Sequence, residues 1–317
     1  MTNAPFFNDI AQGPDGGSAN WVKTNDGLNI RVGHWLPAEK GAFGALKGTV
    51  LLFPGRTEYI EKYGPSAVDF LSRGYATVAI DWRGQGLSDK TTVNPLLGDV
   101  VDFKDYQRDV AAFMGHVSSL NLPQPYYLVA HSMGGCIGLR ALKEGLPVKA
   151  VSFSAPMWGI SMAAPMRPLA WGISGLSRKM GFDHALAPGQ SAQSYISRVG
   201  FAENTLTSDR DMFEFMRWQL DAHPELELGG PSLRWLNESL HEMRSLKKIA
   251  SPELPCLTFL GTEEAIVDPA AIRARMGNWQ MGGLQLVNAG RHEVMMETPA
   301  MRKVVFDAMA GYFDRHR

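Results

Sequence analysis

The chain has 317 residues, enough for one large domain, or for a domain carrying an insertion, with a substantial buried core. Its 31 basic and 32 acidic residues leave a formal net charge of -1, so no net field favours binding to nucleic acid or to an anionic membrane. The cysteines, Cys136 and Cys256, are too few for a disulfide scaffold or a metal cluster, and we interpret both as small core residues. The chain shows no basic and apolar leader and no stretch of about 18 apolar residues, so we expect a cytoplasmic protein.

The first half of the chain alternates strand and helix patterns. Residues 1–20 are rich in Asn, Gly, Ser and Pro without periodicity, and we expect them to form an arm over the surface. Alternating apolar and polar residues over 28–36 predict a half-exposed antiparallel strand near one edge of the sheet, and the apolar run Thr49–Phe53 predicts a strand in the middle of a parallel sheet. A predicted helix, strand and helix follow at 59–73, 75–80 and 100–120. This alternation is typical of a mostly parallel sheet with helices on both faces.

The stretch Tyr126–Gly135, with the sequence YYLVAHSMGG, predicts a strand that turns sharply into a helix. Its apolar part is too short for a helix, and the residues that follow it repeat apolar positions with helical spacing. Such a tight turn needs small residues two positions before and after its apex, and Ala130 and Gly134 flank Ser132 in that way. A serine in this nucleophile elbow projects its hydroxyl above the sheet edge, where the backbone N–H of Met133 points at the group under attack.

The alternation of strands and helices stops in the second half of the chain. Residues 157–246 contain amphipathic helical segments but no buried strand pattern, and we interpret them as an inserted helical lid. Strand patterns resume at 256–260 and 284–287, and further helices are predicted at 269–276 and 299–313. The predicted core is therefore discontinuous and comprises residues 21–156 and 247–317.

A serine nucleophile needs a histidine to take its proton and a carboxylate to orient that histidine. His292 follows the last predicted strand, where a side chain reaches the carboxyl edge of the sheet. The loop after the preceding strand offers three carboxylates in the required chain order: Glu263, Glu264 and Asp268. Asp268 precedes Pro269 and is typical of a helix cap, which favours Glu264 as the acid. The other two carboxylates stay open as alternatives.

Three motifs together resemble the α/β-hydrolase superfamily, and within it the bacterial lysophospholipase and monoacylglycerol lipase group. AHSMGG at the elbow is similar to the family's GHSMGG, DWRGQGLSD at 81–89 to its D-x-R-G-x-G-x-S segment, and GRHEVMMETP at 290–299 to its histidine loop. The resemblance covers nearly the whole chain and implies Ser132 as nucleophile, His292 as general base and Glu264 as the acid. It also implies an oxyanion hole made by the backbone N–H groups of Arg56 and Met133.

The chain departs from the family pattern at two places. Where the lipases usually carry His-Gly, this chain has FPGRTEY at 53–59, which looks more like the lysophospholipase branch. The family more often has aspartate at the position of Glu264. Charged residues near these loops, Arg56, Glu58 and Arg83, are interpreted either as a structural salt-bridge cluster or, for Arg56, as a group that binds a phosphate head group.

The resemblance implies a serine hydrolase that cleaves the carboxylic ester of a single-chain acyl lipid through an acyl-enzyme, with no metal or organic cofactor. The lid is expected to form an apolar channel over the serine, and most of its aromatic residues to pack in its own core. These aromatic residues are Trp158, Trp171, Phe182, Phe213, Phe215 and Trp218.

Several alternatives stay open at this point. Small esters, thioesters and lactones are alternative substrates for the same three groups, and a non-catalytic ligand sensor is an alternative use of the fold. We expect no nucleic-acid partner. Transient contact between the lid edge and the inner face of the membrane stays open, as does the oligomeric state.

Overall fold

The structure is a computed structural model that describes residues 2–36 and 46–317. Within those residues, nine strands form one sheet: β1 Thr2–Ala4, β2 Ser18–Lys23, β3 Asn29–Trp35, β4 Gly48–Phe53, β5 Tyr75–Asp81, β6 Tyr126–His131, β7 Ala150–Ser154, β8 Cys256–Gly261 and β9 Gly282–Val287. Their spatial order is β1-β2-β3-β5-β4-β6-β7-β8-β9. The strands from β5 to β9 in this order are parallel, and β1, β2 and β3 extend the sheet antiparallel at one edge.

The described ranges also contain ten α-helices: α1 Asn8–Ala11, α2 Gly64–Leu71, α3 Tyr106–Ser119, α4 Ser132–Lys143, α5 Met166–Met180, α6 Tyr195–Arg198, α7 Arg210–Ala222, α8 Leu233–Lys247, α9 Pro269–Met276 and α10 Pro299–Asp314. One apolar core includes Phe113 of α3 and Ile137 of α4. A second includes Phe70 of α2 and Phe306 of α10. The sheet is therefore covered on both faces, which confirms the predicted fold class. None of the described helices is long and apolar enough to cross a membrane.

The strand that the sequence placed in the middle of the sheet, β4, and its neighbour β6 are almost completely buried. Every residue of β4 is buried, and so is every residue of β6 after Tyr126. Apolar side chains can occupy both faces of these strands because helices cover both. Phe53 at the end of β4 lies opposite Ala130 near the end of β6. The loops that follow the two strands consequently meet at the carboxyl edge of the sheet, where α/β folds bind their ligands.

Residues 1–20 differ from the surface arm that the sequence predicted. Residues 2–4 form the edge strand β1, which pairs with β2, and β2 itself begins at Ser18. Ile10 of α1 is fully buried, and α1 packs against the short helical turn at Ile60–Tyr63. The sequence did not predict β1, because this strand is three residues long and is defined by pairing with its neighbour rather than by a periodicity of its own.

The chain leaves the sheet between β7 and β8. Every residue of the predicted lid, 157–246, is described, and this span forms α5, α6, α7 and most of α8 but no strand of the sheet. α8 contacts α4 of the core through the ion pair between Arg140 Nε and Glu242 Oε1, at 2.7 Å. α5 packs along α8. The separation of this span from the core as a lid stays a prediction.

Candidate active site

The turn from β6 into α4 holds Ser132 in an uncommon backbone conformation. Ser132 is the first residue of α4, and its φ is 49°, in the left-handed region. A Cβ atom at Gly134 would collide with the carbonyl oxygens of Phe53 and Pro54, so α4 can approach β4 this closely only with glycine there. The predicted strand, tight turn and helix are therefore all present, and Ser132 is 9% exposed.

The loops after β8 and β9 bring Glu264 and His292 to Ser132. His292 Nε2 lies 2.9 Å from Ser132 Oγ, and His292 Nδ1 lies 2.7 Å from Glu264 Oε2. A carboxylate oxygen can only accept, so the Nδ1–H of His292 donates to Glu264. Nε2 is then the nitrogen that can accept the proton of the serine hydroxyl. His292 can therefore take the serine proton at Nε2 while Glu264 holds the ring in place through Nδ1.

The carboxylate of Glu264 is fixed by its own loop. Its Oε1 accepts hydrogen bonds from the backbone N–H groups of Ile266, at 2.6 Å, and Val267, at 3.1 Å. Burial raises the pKa of Glu264, but the attraction to His292 and these hydrogen bonds outweigh it and hold the pKa below its ordinary value. Glu264 is therefore ionised at neutral pH and can stabilise a positive charge on His292.

The two alternative carboxylates lie elsewhere. Asp268 caps α9, where its Oδ1 accepts a hydrogen bond from the Ala270 N–H at 2.9 Å, and its Oδ2 lies 3.2 Å from Arg167 Nη2. Glu263 is exposed, and its Oε2 lies 3.8 Å from the Nε of Arg291. Only Glu264 of the three contacts His292 within the described part of the chain. The side chain of Glu264 is one methylene group longer than the family's usual aspartate. This extra length lets its carboxylate reach His292 from a backbone position that is itself hydrogen-bonded within the loop.

The two predicted oxyanion donors follow neighbouring strands. Met133 is the second residue of α4, and the first N–H groups of a helix have no acceptor within it. The amides on either side of Arg56 donate to the side chains of Glu58 and Gln85. The Arg56 N–H itself has no acceptor among residues 2–36 and 46–317. Both donors are thus available to a ligand, and their role stays a prediction.

A buried charge cluster, which comprises Glu58, Lys62, His131 and Glu293, lies next to these groups. Lys62 Nζ lies 2.5 Å from Glu58 Oε1 and 2.6 Å from Glu293 Oε1. The Nδ1–H of His131 donates to the Ser154 carbonyl at 3.0 Å, and its Nε2 lies 3.4 Å from Glu293 Oε2. Nε2 makes no hydrogen bond within the described residues, but it lies within ion-pair distance of the carboxylates of Glu293 and Glu58, whose negative charge favours the imidazolium form of His131.

The electrostatics of the charge cluster agree with that assignment. Burial lowers the pKa of His131, but the carboxylates of Glu293 and Glu58 outweigh burial and hold this pKa above its ordinary value. The rings of His131 and His292 lie 4.8 Å apart, so the charge is close to the proposed base. The sequence analysis did not predict this cluster, because its members come together only in the folded chain. The available signal was the four-residue spacing of Glu58 and Lys62.

Three side chains of the charge cluster are of types that bind metal ions, and they form the one such group found in the described residues. Ligand atoms of Glu58, His131 and Glu293 lie within 4.8 Å of one another. However, the ammonium of Lys62 already contacts both carboxylates, and the Tyr63 hydroxyl donates to Glu58 at 2.5 Å. The protein's own donors thus use three of the four carboxylate oxygens, and the Lys62 ammonium already supplies the positive charge, so we assign no metal here.

A cavity of about 550 Å³ lies over Ser132 and His292. Its wall is mainly aliphatic and methionine side chains from the lid and the adjoining loops, including Met157, Ile160, Met162, Leu169, Met216, Leu220, Leu236 and Ile266. The six lid aromatics named from the sequence do not line it; Phe213, for example, is fully buried within the lid itself. The aromatic residues of the wall are Tyr59, Tyr195 and Trp235. Flexible methionines suit such a wall because they adapt to long apolar ligands.

The sequence left two interpretations for Arg56, Glu58 and Arg83, and the structure gives these three residues different surroundings. Arg83 Nη2 lies 2.8 Å from Asp109 Oδ1 and its Nη1 lies 2.9 Å from Asp26 Oδ2, so Arg83 is structural. Glu58 belongs to the charge cluster. Arg56 has no carboxylate within ion-pair distance in the described part of the chain, and its side chain lines the cavity.

Comparison with known proteins places the chain in a family. The family model Hydrolase_4, described as "Serine aminopeptidase, S33", matches residues 44–299. The chain belongs to the Hydrolase_4 family. This Hydrolase_4 protein is similar to lysophospholipase L2 of Escherichia coli strain K12, with 32% identity over 283 residues, covering 84% of this chain and 80% of the relative.

Solved structures of other hydrolases share the fold. A soluble variant of monoglyceride lipase from Saccharomyces cerevisiae superposes with a TM-score of 0.71 at 20% identity, covering 93% of this chain and 94% of that one. A thermostable carboxyl esterase from Bacillus coagulans superposes with a TM-score of 0.70 at 15% identity, covering 95% and 98%. At these identities the likeness establishes the α/β-hydrolase fold of this Hydrolase_4 protein and no more.

Proposed function

We propose that this protein is a serine ester hydrolase that cleaves the carboxylic ester of single-chain acyl lipids through an acyl-enzyme. The observation that carries the proposal is the hydrogen-bonded series Ser132, His292 and Glu264, whose serine and histidine line an apolar cavity. Membership of the Hydrolase_4 family and similarity to lysophospholipase L2 support ester hydrolysis on a lipid.

The first half of the reaction forms the acyl-enzyme. His292 Nε2 takes the proton of the Ser132 hydroxyl as Oγ attacks the ester carbonyl carbon. The carbonyl oxygen gains negative charge, which the N–H groups of Arg56 and Met133 stabilise. When the carbon–oxygen bond to the alcohol breaks, the departing oxygen takes the proton from His292. The acyl group stays on Ser132.

The second half releases the fatty acid. Water attacks the acyl carbonyl carbon, and His292 takes a proton from that water. The bond to Ser132 Oγ then breaks, the serine recovers its proton, and the carboxylic acid leaves. Glu264 stabilises the imidazolium of His292 in both halves because its pKa lies below the ordinary value.

The cavity wall favours an acyl chain over a small ester. Each methylene group that leaves water for an apolar wall contributes about 0.8 kcal/mol. A long chain gains this contribution repeatedly along the aliphatic and methionine wall, whereas a short ester leaves that wall in contact with water. Small esters, thioesters and lactones need only the three polar groups, so they remain the second candidate class.

The test compares the parent with Ser132→Ala on monopalmitoylglycerol, lysophosphatidylcholine and p-nitrophenyl butyrate. We expect the parent to cleave the lipids and Ser132→Ala to lose about 10⁴-fold or more in kcat. Ser118→Ala, at an exposed serine of α3, is the matched control and keeps parental rates. A fluorophosphonate should label the parent and Ser118→Ala only. A parent that is neither labelled nor active on any of the three would favour the ligand-sensor interpretation.

The exposed face of α5 supports transient contact with a lipid surface. Met166, Leu169, Leu176 and Met180 are 46%, 48%, 54% and 65% exposed, and the first two also line the cavity. We infer that this face touches a bilayer when lipid enters. Flotation with anionic vesicles should recover a bound fraction of the parent and less of Leu176→Ser/Met180→Ser, whose positions lie outside the cavity wall. Failure of the parent to float would contradict this contact.

A further inference from the structure

Arg56 presents a cation to the cavity without an anion of its own. Its Nη1 donates to the Gly229 carbonyl at 2.9 Å, and its Cζ lies 5.5 Å from the ring centroid of Trp235. A Cβ at Gly98 would lie 2.7 Å from Nη1, so the glycine makes room for the guanidinium. The remaining guanidinium N–H groups have no acceptor among the described residues. Loop backbone and aromatic ring thus hold this group in place while part of its donor set stays unused.

The other arginines near the site contrast with Arg56. Arg83 and Arg234 each contact a buried carboxylate, Asp109 and Asp99 respectively. Burial lowers the pKa of Arg56 to about 10, because water is withdrawn and no carboxylate compensates. The group is still charged at neutral pH. Arg56 is half-buried, and a partly desolvated cation without a counter-ion is costly, a cost that an anionic ligand reduces.

We propose that the Arg56 guanidinium binds the phosphate of a lysophospholipid head group while the acyl ester of the same molecule lies at Ser132. This inference rests on the proposed function, and it assigns the head-group class for that reaction. The planar guanidinium matches the oxygens of a phosphate diester through paired N–H donors. The N–H of the same residue is the proposed oxyanion donor, so one residue would contact the ester through its backbone and the phosphate through its side chain.

Pairs of lipids with the same acyl chain test the proposal. The measured quantity is the ratio of kcat/KM for 1-palmitoyl-lysophosphatidylglycerol to that for 1-monopalmitoylglycerol, which differ in the phosphate-bearing head group. Arg56→Gln removes the charge and keeps the backbone N–H. We expect this ratio to fall about 10–100-fold, as for loss of hydrogen bonds to a charged group, and mainly through KM of the lysophospholipid. Arg56→Lys, which keeps the charge but not the paired donors, should give an intermediate ratio.

A purely structural Arg56 gives a different result. If the side chain only supports the loop at Gly229, its loss slows both lipids equally and the ratio stays at the parental value, which would overturn the proposal. Arg198→Gln, at an exposed arginine outside the cavity wall, is the matched control and should leave the ratio unchanged. If the ratio fell equally in Arg198→Gln, the effect would be due to general surface charge, and this result would likewise overturn the proposal.

The two proposals fail in distinguishable ways. If the parent cleaves both lipids but the kcat/KM ratio is the same in the Arg56 variants as in the parent, only the proposed phosphate site is wrong. If the parent cleaves neither lipid and a fluorophosphonate does not label Ser132, the proposed function itself is wrong. Labelling of Arg56→Gln by the fluorophosphonate shows that the variant is folded with a competent serine, so a change of its ratio reports on the head group.

Discussion

Replacing Glu264 by glutamine changes the charge next to His292 while leaving the size of the side chain almost unchanged. Glu264 accepts three hydrogen bonds: from His292 Nδ1, at 2.7 Å, and from the backbone N–H groups of Ile266 and Val267. An amide has one oxygen and one NH2 group. In Glu264→Gln, either His292 or the two backbone donors must therefore face another donor.

The expected loss follows from these contacts. A hydrogen bond to a charged group contributes about 1.5–3 kcal/mol, and the negative charge that stabilises the imidazolium of His292 is lost as well. Substitution of the triad acid by its amide lowers kcat about 10⁴-fold in a serine protease. We therefore expect kcat of Glu264→Gln to fall about 10³–10⁴-fold, equivalent to about 4–5.5 kcal/mol in the activation free energy. KM should change little, because the cavity wall is untouched.

The assay is hydrolysis of monopalmitoylglycerol at neutral pH, with Asp268→Asn as the matched control. Asp268 caps α9 and does not contact His292, and the asparagine oxygen can accept the same capping hydrogen bond, so Asp268→Asn should change stability and activity little. If Glu264→Gln kept kcat within tenfold of the parent, or if Asp268→Asn lost more than Glu264→Gln, the assignment of the acid would be wrong.

The same carboxylate gives a pH dependence of stability. Its pKa in the folded protein is lowered, so the unfolded state binds more protons at acidic pH. The contribution of Glu264 is present in full above the ordinary carboxyl pKa and is lost as the pH falls below it through the lowered pKa of the folded state. Urea unfolding should therefore show a smaller parent-minus-Glu264→Gln difference in acid than at neutral pH. An equal difference at both pH values would contradict this linkage.

Three further predictions concern the charge cluster, the elbow and the cavity. Lys62→Met leaves two buried carboxylates without their cation and should reduce the free energy of unfolding in urea by about 3–5 kcal/mol, with partial recovery in Lys62→Met/Glu293→Gln. Gly134→Ala forces a Cβ into the β4 backbone and should reduce the yield of folded protein and fluorophosphonate labelling. The matched control for this glycine, Gly172→Ala, has open space around it in α5 and should instead stabilise the protein by about 0.5–1 kcal/mol in the urea assay. Ala170→Trp fills part of the cavity and should shift the preference in kcat/KM from long to short acyl chains, at about 0.8 kcal/mol for each methylene group excluded.

A specific outcome would contradict each of these predictions. Equal loss in Lys62→Met and in the double variant would mean that packing, and not charge balance, explains the effect. Parental labelling of Gly134→Ala would show that the elbow tolerates a wider separation from β4. An unchanged chain-length profile for Ala170→Trp would place the acyl chain away from α5.

The sequence predicted most of the fold because its signals are local. The apolar runs at 49–53 and 75–80, and the small residues around Ser132, act through neighbours in the chain and need no tertiary information. β1 and β2 escaped prediction because β1 is defined by its pairing with β2, and because the burial of Ile10 depends on packing against the turn at Ile60–Tyr63, far away in sequence. Four of the six lid aromatics lie in the helices α5 and α7, and only packing decided that none of the six lines the cavity.

By itself the sequence determined the order of strands and helices and the positions of Ser132 and His292 at strand ends, because periodicity and small residues at a tight turn act over a few positions. Only the tertiary structure decided which carboxylate reaches His292, that Lys62 joins Glu293 across 231 residues, and that Arg56 faces the cavity without an anion. The reason is physical: hydrogen bonds and ion pairs act within about 3–4 Å, and at that range partners are chosen by how the loops pack together.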